Sequence, residues 1–241
     1  MTEAMNCVRK ICAAHLFLAV GAACGPLVAL LLFSLLAARA AADELPPVAQ
    51  VVAGVQQVYE RTVDLKAFFR QESAVASLRR TEREEGQFYF RRPSMLRWNY
   101  TKPQPKYLIL NEQQIWLYVP ADRVAYVQNT AMALKSRTLL RFLAGVGKIA
   151  ADFDVEYSQP ARDSSGNYLL TLKPKAKDWG VAKLYLAVDP ASYYIRECRF
   201  TDLYDNTTRI IFDTITADNG LPVKLFRFKP PAGVEVMQLP Q

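Results

Sequence analysis

From Leu65 to Phe228 the chain reads as short runs in which apolar and polar residues alternate, the two-residue period of half-buried strands. Such runs fall at 86–90, 95–100, 107–110, 115–119, 123–128, 153–158, 167–173, 182–188, 194–201, 207–216 and 223–229. Turn chemistry separates them: Asn111-Glu112-Gln113-Gln114, Pro120-Ala121-Asp122, Asp163-Ser164-Ser165-Gly166, Asp189-Pro190, Asp205-Asn206 and Asp218-Asn219-Gly220. Two stretches break the period. After Pro46-Pro47, the residues Val48, Val51, Val52, Val55, Val58 and Tyr59 recur at helical spacing and predict an amphipathic helix over 46–62. Residues 130–147 carry Met132, Leu139, Leu140 and Leu143 with Lys135, Arg137 and Arg141 between them, a second helix that Gly145 and Gly147 would stop. The expected fold class is therefore mainly β with helices (α+β). Its antiparallel sheet has about 10–11 strands, which is too large to stay flat and should curl. A helix inserted midway through that series must cover something, and the open mouth or concave face is the natural target.

Within a strand, alternation sorts side chains by face. Leu96, Trp98 and Tyr100 share one, as do Trp116 and Tyr118, Leu170 and Leu172, and Phe226 and Phe228. Two readings of these pairs stand: an ordinary packed core, or an aromatic inner face that a single curved sheet lacks the material to cover and that suits an apolar ligand.

Composition narrows the chemistry. Residues 1–42 contain the sole histidine, His15, and three of the four cysteines, Cys7, Cys12 and Cys24. The rest has Cys198 alone, which excludes an internal disulfide, histidine triads and histidine or Cys-rich metal sites there. The chain has 30 Lys and Arg against 23 Asp and Glu, a mild excess that makes no nucleic-acid-binding stripe. Arg9-Lys10, an uncharged apolar run from Ile11 to Ala38 and the small residues before Asp43-Glu44 describe a secretory signal peptide over 1–42, cleaved near Ala40 or Ala42. The apolar run is also long enough to be an uncleaved membrane anchor. Residues 43–241 then form one domain. No Gly-x-Ser-x-Gly elbow, paired carboxylates or phosphate loop is present, so no enzyme activity, metal or cofactor is expected. Cys198, between Glu197 and Arg199, reads as a small core residue, and Asn206-Thr207-Thr208 as a hairpin turn.

Three segments carry a resemblance. Gly86-Gln87-Phe88-Tyr89-Phe90-Arg91-Arg92-Pro93 with Leu96-Arg97-Trp98-Asn99-Tyr100, then Ile115-Trp116-Leu117-Tyr118-Val119-Pro120, then Leu221-Pro222 and Phe226-Arg227-Phe228-Lys229-Pro230-Pro231-Ala232-Gly233-Val234 occur in order. Together the set resembles the periplasmic outer-membrane lipoprotein carriers, the LolA family. Asn111-Glu112-Gln113-Gln114 departs from that family's usual Asp-Gly turn. The resemblance implies a single incomplete antiparallel β-barrel, or half-barrel, closed by a helical lid. It also implies a periplasmic carrier, expected to be monomeric, that takes acylated lipoprotein cargo from an inner-membrane ABC-type release complex to an outer-membrane acceptor. By motif position Leu96 and Trp98 match strand positions facing the acyl-binding cavity, and with the other inner-face candidates the cavity is expected at Phe69, Phe88, Phe90, Leu96, Trp98, Tyr100, Trp116, Tyr118, Leu170, Leu172, Phe226 and Phe228. The lid is expected at Met132, Leu139, Leu140 and Leu143, and Arg92 matches the arginine that latches the lid in the closed state. Arg92 also fits a solvated charge ahead of Pro93. Rival readings are a carrier for another acylated product, a lipid-sensing envelope-stress regulator, and a serine–lysine hydrolase.

Overall fold

A computed structural model describes residues 44–131, 148–176 and 180–239. The chain divides into units 1–45 and 46–241, and the elements below belong to the second. Strands β1 (Asp64–Val75), β2 (Arg80–Arg91), β3 (Met95–Lys102), β4 (Lys106–Leu110), β5 (Gln114–Val119) and β6 (Val124–Asn129) form an antiparallel meander. A second meander follows: β7 (Phe153–Arg162), β8 (Tyr168–Pro174), β9 (Val181–Val188), β10 (Ile195–Asp202) and β11 (Thr207–Ala217). The antiparallel β1–β11 ladder joins the two, and β12 (Glu235–Gln238) pairs with β6 in parallel. The result is one open twelve-stranded sheet with β7 and β12 at its edges.

Helix α1 (Val48–Arg61) lies where the valine spacing places it, with Val51, Val52, Val55 and Val58 buried. Valine is a middling helix former, so packing rather than propensity holds this helix. Val51, Val52 and Val55 bury against Leu170, Leu172, Leu184, Leu186, Val188 and Cys198 of β8, β9 and β10, joined by Ile149 of the one-turn α2 (Ile149–Asp152). The Tyr193 ring lies across Gly54, where a Cβ would stand 2.5 Å from it. At the C-terminus of α1, the Thr62 hydroxyl donates to the Val58 carbonyl at 2.7 Å and pairs with the Tyr194 hydroxyl at 2.9 Å. Cys198 is fully buried, and that burial raises its thiol to about 12, so it remains a neutral core side chain.

The expected strand over 223–229 does not form. Residues 223–226 make a 3₁₀ turn, and the segment from Leu221 to Val234 runs as a strap over one face of β2–β5. Its carbonyls meet side chains instead of a ladder: Arg91 Nη1 donates to Leu221 O at 2.7 Å, Arg97 Nη1 to Leu225 O at 2.8 Å, and Asn111 Nδ2 to Phe226 O at 3.1 Å. Pro222, Pro230 and Pro231 supply no backbone donors, which disfavours a paired strand. The buried Asp64 carboxylate fixes the start of the strap, accepting the N–H groups of Asn219 at 2.7 Å and Leu221 at 3.0 Å. The Asn111 turn forms as expected. Asn111 Oδ1 accepts the N–H groups of Gln113 and Gln114, both at 3.0 Å, and so does locally what an Asp-Gly turn does with its backbone.

Gly86 controls the bend of β2 against β3. The register shifts at Glu85/Gly86, and a Cβ on Gly86 would stand 1.9 Å from the Asn99 carbonyl oxygen. Only glycine permits that approach. Gly86→Ala must push β3 aside, and we expect it to lower unfolding free energy by about 2–3 kcal/mol, measured as a lower urea midpoint at unchanged slope.

Candidate functional site

Strand register lays the face that α1 covers in rows. On β1 to β4, one row is Leu65, Phe90, Leu96 and Leu110, and the next is Ala67, Phe88, Trp98 and Leu108. The third row is Phe212, Phe69, Gly86, Tyr100 and Lys106, and the fourth is Ile210, Gln71 and Glu84. The first three rows form an aromatic layer. Trp98 stands 4.5 Å from Phe88, 4.7 Å from Phe69, 5.9 Å from Phe212 and 6.4 Å from Tyr100, ring centre to ring centre. Phe69 and Tyr100 meet edge to face at 5.0 Å across Gly86, whose missing side chain leaves them room. Such ring pairs contribute roughly 0.5–1.5 kcal/mol each beyond the area they bury. Tyr59 of α1 and Phe200 of β10 touch both this layer and the cluster under the helix.

Polar groups from the third and fourth rows border the layer on one side. Tyr100 Oη donates to Gln71 Oε1 at 3.1 Å, and Gln71 Nε2 donates to Glu84 Oε2 at 3.2 Å and Ser73 Oγ at 3.1 Å. Lys106 Nζ lies 2.5 Å from Glu84 Oε1 and 4.2 Å above the Tyr100 ring. Burial first, and then the Glu84 carboxylate, push the Tyr100 phenol well above its ordinary range, so Oη keeps its proton.

The expected cavity residues divide into four groups. Phe69, Phe88, Phe90, Leu96, Trp98 and Tyr100 come together in one cluster, with Leu65, Leu110, Ile210 and Phe212 beside them. Leu170 and Leu172 share this face of the sheet but lie beneath α1. Trp116 and Tyr118 require correction: with Tyr107 and Ile109 they occupy the reverse face, against Phe228 of the strap at 5.3 Å from each ring. The reason is register. Ile109, not Leu108 or Leu110, pairs with Trp116, so β5 presents Ile115 and Leu117 to the aromatic layer. Phe226 and Phe228 lie on the strap, and the Leu225 carbonyl there binds Arg97, which points away from the aromatic layer as alternation predicts. Phe212 and Ile210 escaped the sequence reading although their alternation in 207–216 carried the signal.

Arg92 follows β2, and its backbone N–H donates to Val63 O at 3.0 Å while its side chain is exposed. Met132, Leu139, Leu140 and Leu143 lie outside the described residues. Among the described residues no three His, Cys, Asp or Glu side chains gather as metal ligands. A cavity of about 270 Å³ opens on the reverse face between β7 and β10, lined by Ser158, Pro160, Thr171, Tyr185, Glu197 and Arg199. Leu169 and Ala187 also line it, so its character is mixed, and it falls just below the range of roughly 300–1,000 Å³ usual for small-molecule sites. The aromatic layer is the candidate site, and its chemistry is that of an apolar surface with one polar border.

Comparison with known proteins gives the family. A protein from Dechloromonas aromatica named outer-membrane lipoprotein carrier protein is 28% identical over 233 residues, covering 97% of this chain and 98% of its own length. One of the same name from Azotobacter vinelandii is 27% identical over 210 residues, covering 86% of this chain and 99% of its own. An uncharacterized conserved protein from Thermus thermophilus, 12% identical, shares the fold with a TM-score of 0.52 over 80% of this chain and 99% of its own. The family model for the outer membrane lipoprotein carrier protein LolA matches residues 60–229, so the chain belongs to the LolA family.

Proposed function

We propose that this protein is a periplasmic carrier that holds the acyl chains of lipoproteins released from the inner membrane and delivers them towards the outer membrane. One observation carries the reading: in a chain of this family, the open sheet sets Phe69, Phe88, Trp98, Tyr100 and Phe212 as a continuous aromatic layer on one face. The remaining parts follow from it. Residues 1–42 act as the export signal, the sheet curls into a half-barrel about the aromatic layer, and the segment carrying Met132, Leu139, Leu140 and Leu143 serves as lid. An inner-membrane ABC-type complex loads the carrier, and an outer-membrane acceptor receives the cargo.

Energetics support this division of labour. An acyl chain of about 16 carbons gains roughly 0.8 kcal/mol per buried CH₂, on the order of 10 kcal/mol per chain. A surface retaining all of that would not release its cargo. A lid that closes well over the empty site lowers net affinity by the cost of opening it. Arg92, exposed and offering five N–H donors, suits the latch on such a lid.

A triacylated peptide should bind one-to-one in native mass spectrometry, and its unacylated form should not. Trp98→Glu should weaken that binding at least a hundredfold while Trp116→Glu leaves it within threefold, with circular dichroism checking that both variants fold; equal losses would contradict the assignment. In single-tryptophan variants, a doxyl-labelled acyl chain should quench emission from Trp98 and spare Trp116. Arg92→Leu should slow transfer of bound cargo to acceptor membranes several-fold, and a transfer rate equal to wild type would remove Arg92 from the latch.

A further inference from the structure

We infer that Gln71, Glu84, Tyr100 and Lys106 form the seat for the polar end of the bound acyl group, and that the Glu84–Lys106 pair makes this seat select uncharged ester- and amide-linked acyl chains over free carboxylates and anionic phospholipids. The inference rests on the acyl-binding reading above and adds an orientation and a specificity to it.

Geometry sets the orientation. On β1 the face is apolar at Leu65, Ala67 and Phe69 and turns polar at Gln71. At about 3.3 Å per residue the apolar stretch from Leu65 is roughly 13 Å long to Phe69 and 20 Å to Gln71. One leaflet's acyl chain spans about 15 Å, half of the roughly 30 Å hydrocarbon core of a bilayer. A chain laid along the strands therefore has its methyl end near Leu65, Phe90 and Leu96, where Tyr59 and Tyr194 pack against the layer. Its carbonyl end reaches the level of Gln71, Glu84 and Lys106. The same change of character runs on a slant across β11, β1, β2 and β4, one row later on β11 and one row earlier on β4: Ile210 to Thr208, Phe69 to Gln71, Gly86 to Glu84, and Leu108 to Lys106. It marks the face as one surface with a directed boundary.

Charge sets the specificity. Glu84 and Lys106 are opposed at 2.5 Å, with side chains 13% and 32% exposed, so the seat is neutral as a whole while remaining rich in hydrogen-bonding groups. The neighbouring Glu82 is itself paired with Arg80 at 3.3 Å. An ester or amide carbonyl finds a free donor at Lys106 Nζ, whose ammonium has three N–H groups and directs one at Glu84, without disturbing the pair's net charge; the Tyr100 and Gln71 donors are already spent within the seat. A carboxylate or phosphate brought to the same place meets Glu84 beside the Lys106 ammonium, and like charge against a largely buried carboxylate is unfavourable.

Monopalmitoylglycerol and palmitate share one chain and differ in head, so the ratio of their dissociation constants, measured by calorimetry on the protein and its variants, reads the seat alone. Wild type should bind monopalmitoylglycerol at least tenfold more tightly. Glu84→Gln should raise the relative affinity for palmitate at least tenfold by freeing Lys106, Lys106→Gln should shift it the other way, and the double variant should return it towards wild type. A ratio constant within twofold across all variants, with both ligands bound, overturns the seat and leaves the carrier reading intact. Failure of every variant and wild type to bind either ligand overturns the acyl-binding reading and this inference with it. Where Glu84→Gln does not fold, Lys106→Gln and the double variant decide alone.

Discussion

A sheet this wide has two faces, and in this protein both are apolar across β4 and β5. The structure answers that constraint with two different covers. The C-terminal strap lies over Ile109, Trp116 and Tyr118, held by side-chain donors from Arg91, Arg97 and Asn111 to its carbonyls. On the other face, α1 spends its valines on β8 to β10 and meets the aromatic layer through Tyr59. One face is thus sealed by covalently attached chain. On the other, the helix valines stop short of the aromatic layer, whose rings pack against one another and are buried, Trp98 at 3% and Phe69 at 0% exposed.

The sheet was legible in the sequence to a considerable degree. Turn residues marked most strand ends, and α1 came within two residues at its N-terminus from valine spacing alone. What alternation could not supply was the relation between strands. It assigns Trp116 and Tyr118 to a common face but does not say which face, because that depends on Trp116 pairing with Ile109, a register set by the Asn111 turn. Phe226 and Phe228 misled for a different reason. Their two-residue spacing mimics a strand, whereas the prolines around them force a strap whose polar groups are satisfied by side chains over 100 residues away in sequence. The polar border at Gln71, Glu84 and Lys106 could not be read before pairing was known, since its members come from three strands.

Gly86 links the two levels of the argument. By letting β3 approach, it sets the bend at that point of the sheet, and by carrying no side chain it lets Phe69 and Tyr100 meet above it. Tyr100 is thereby held with its ring in the apolar layer and its hydroxyl on Gln71, so one residue belongs to both the greasy surface and its border. A carrier needs such a surface to be extensive enough to shield a chain and bounded enough to receive it in one direction.

The strap also sets a timetable for folding. Asn111 and its partner Phe226 are 115 residues apart, and Arg91 and Leu221 are 130 apart. At ribosomal rates of about 5–20 residues per second, roughly 6–20 s pass between synthesis of the Trp116 hairpin and synthesis of the segment that shields it. During that interval β4 to β6 form a two-sided apolar hairpin stack with an unpaired edge, which is the kind of surface that self-associates. Until the strap arrives, the nascent chain therefore needs shielding on this face, which the finished protein supplies from its own C-terminal segment.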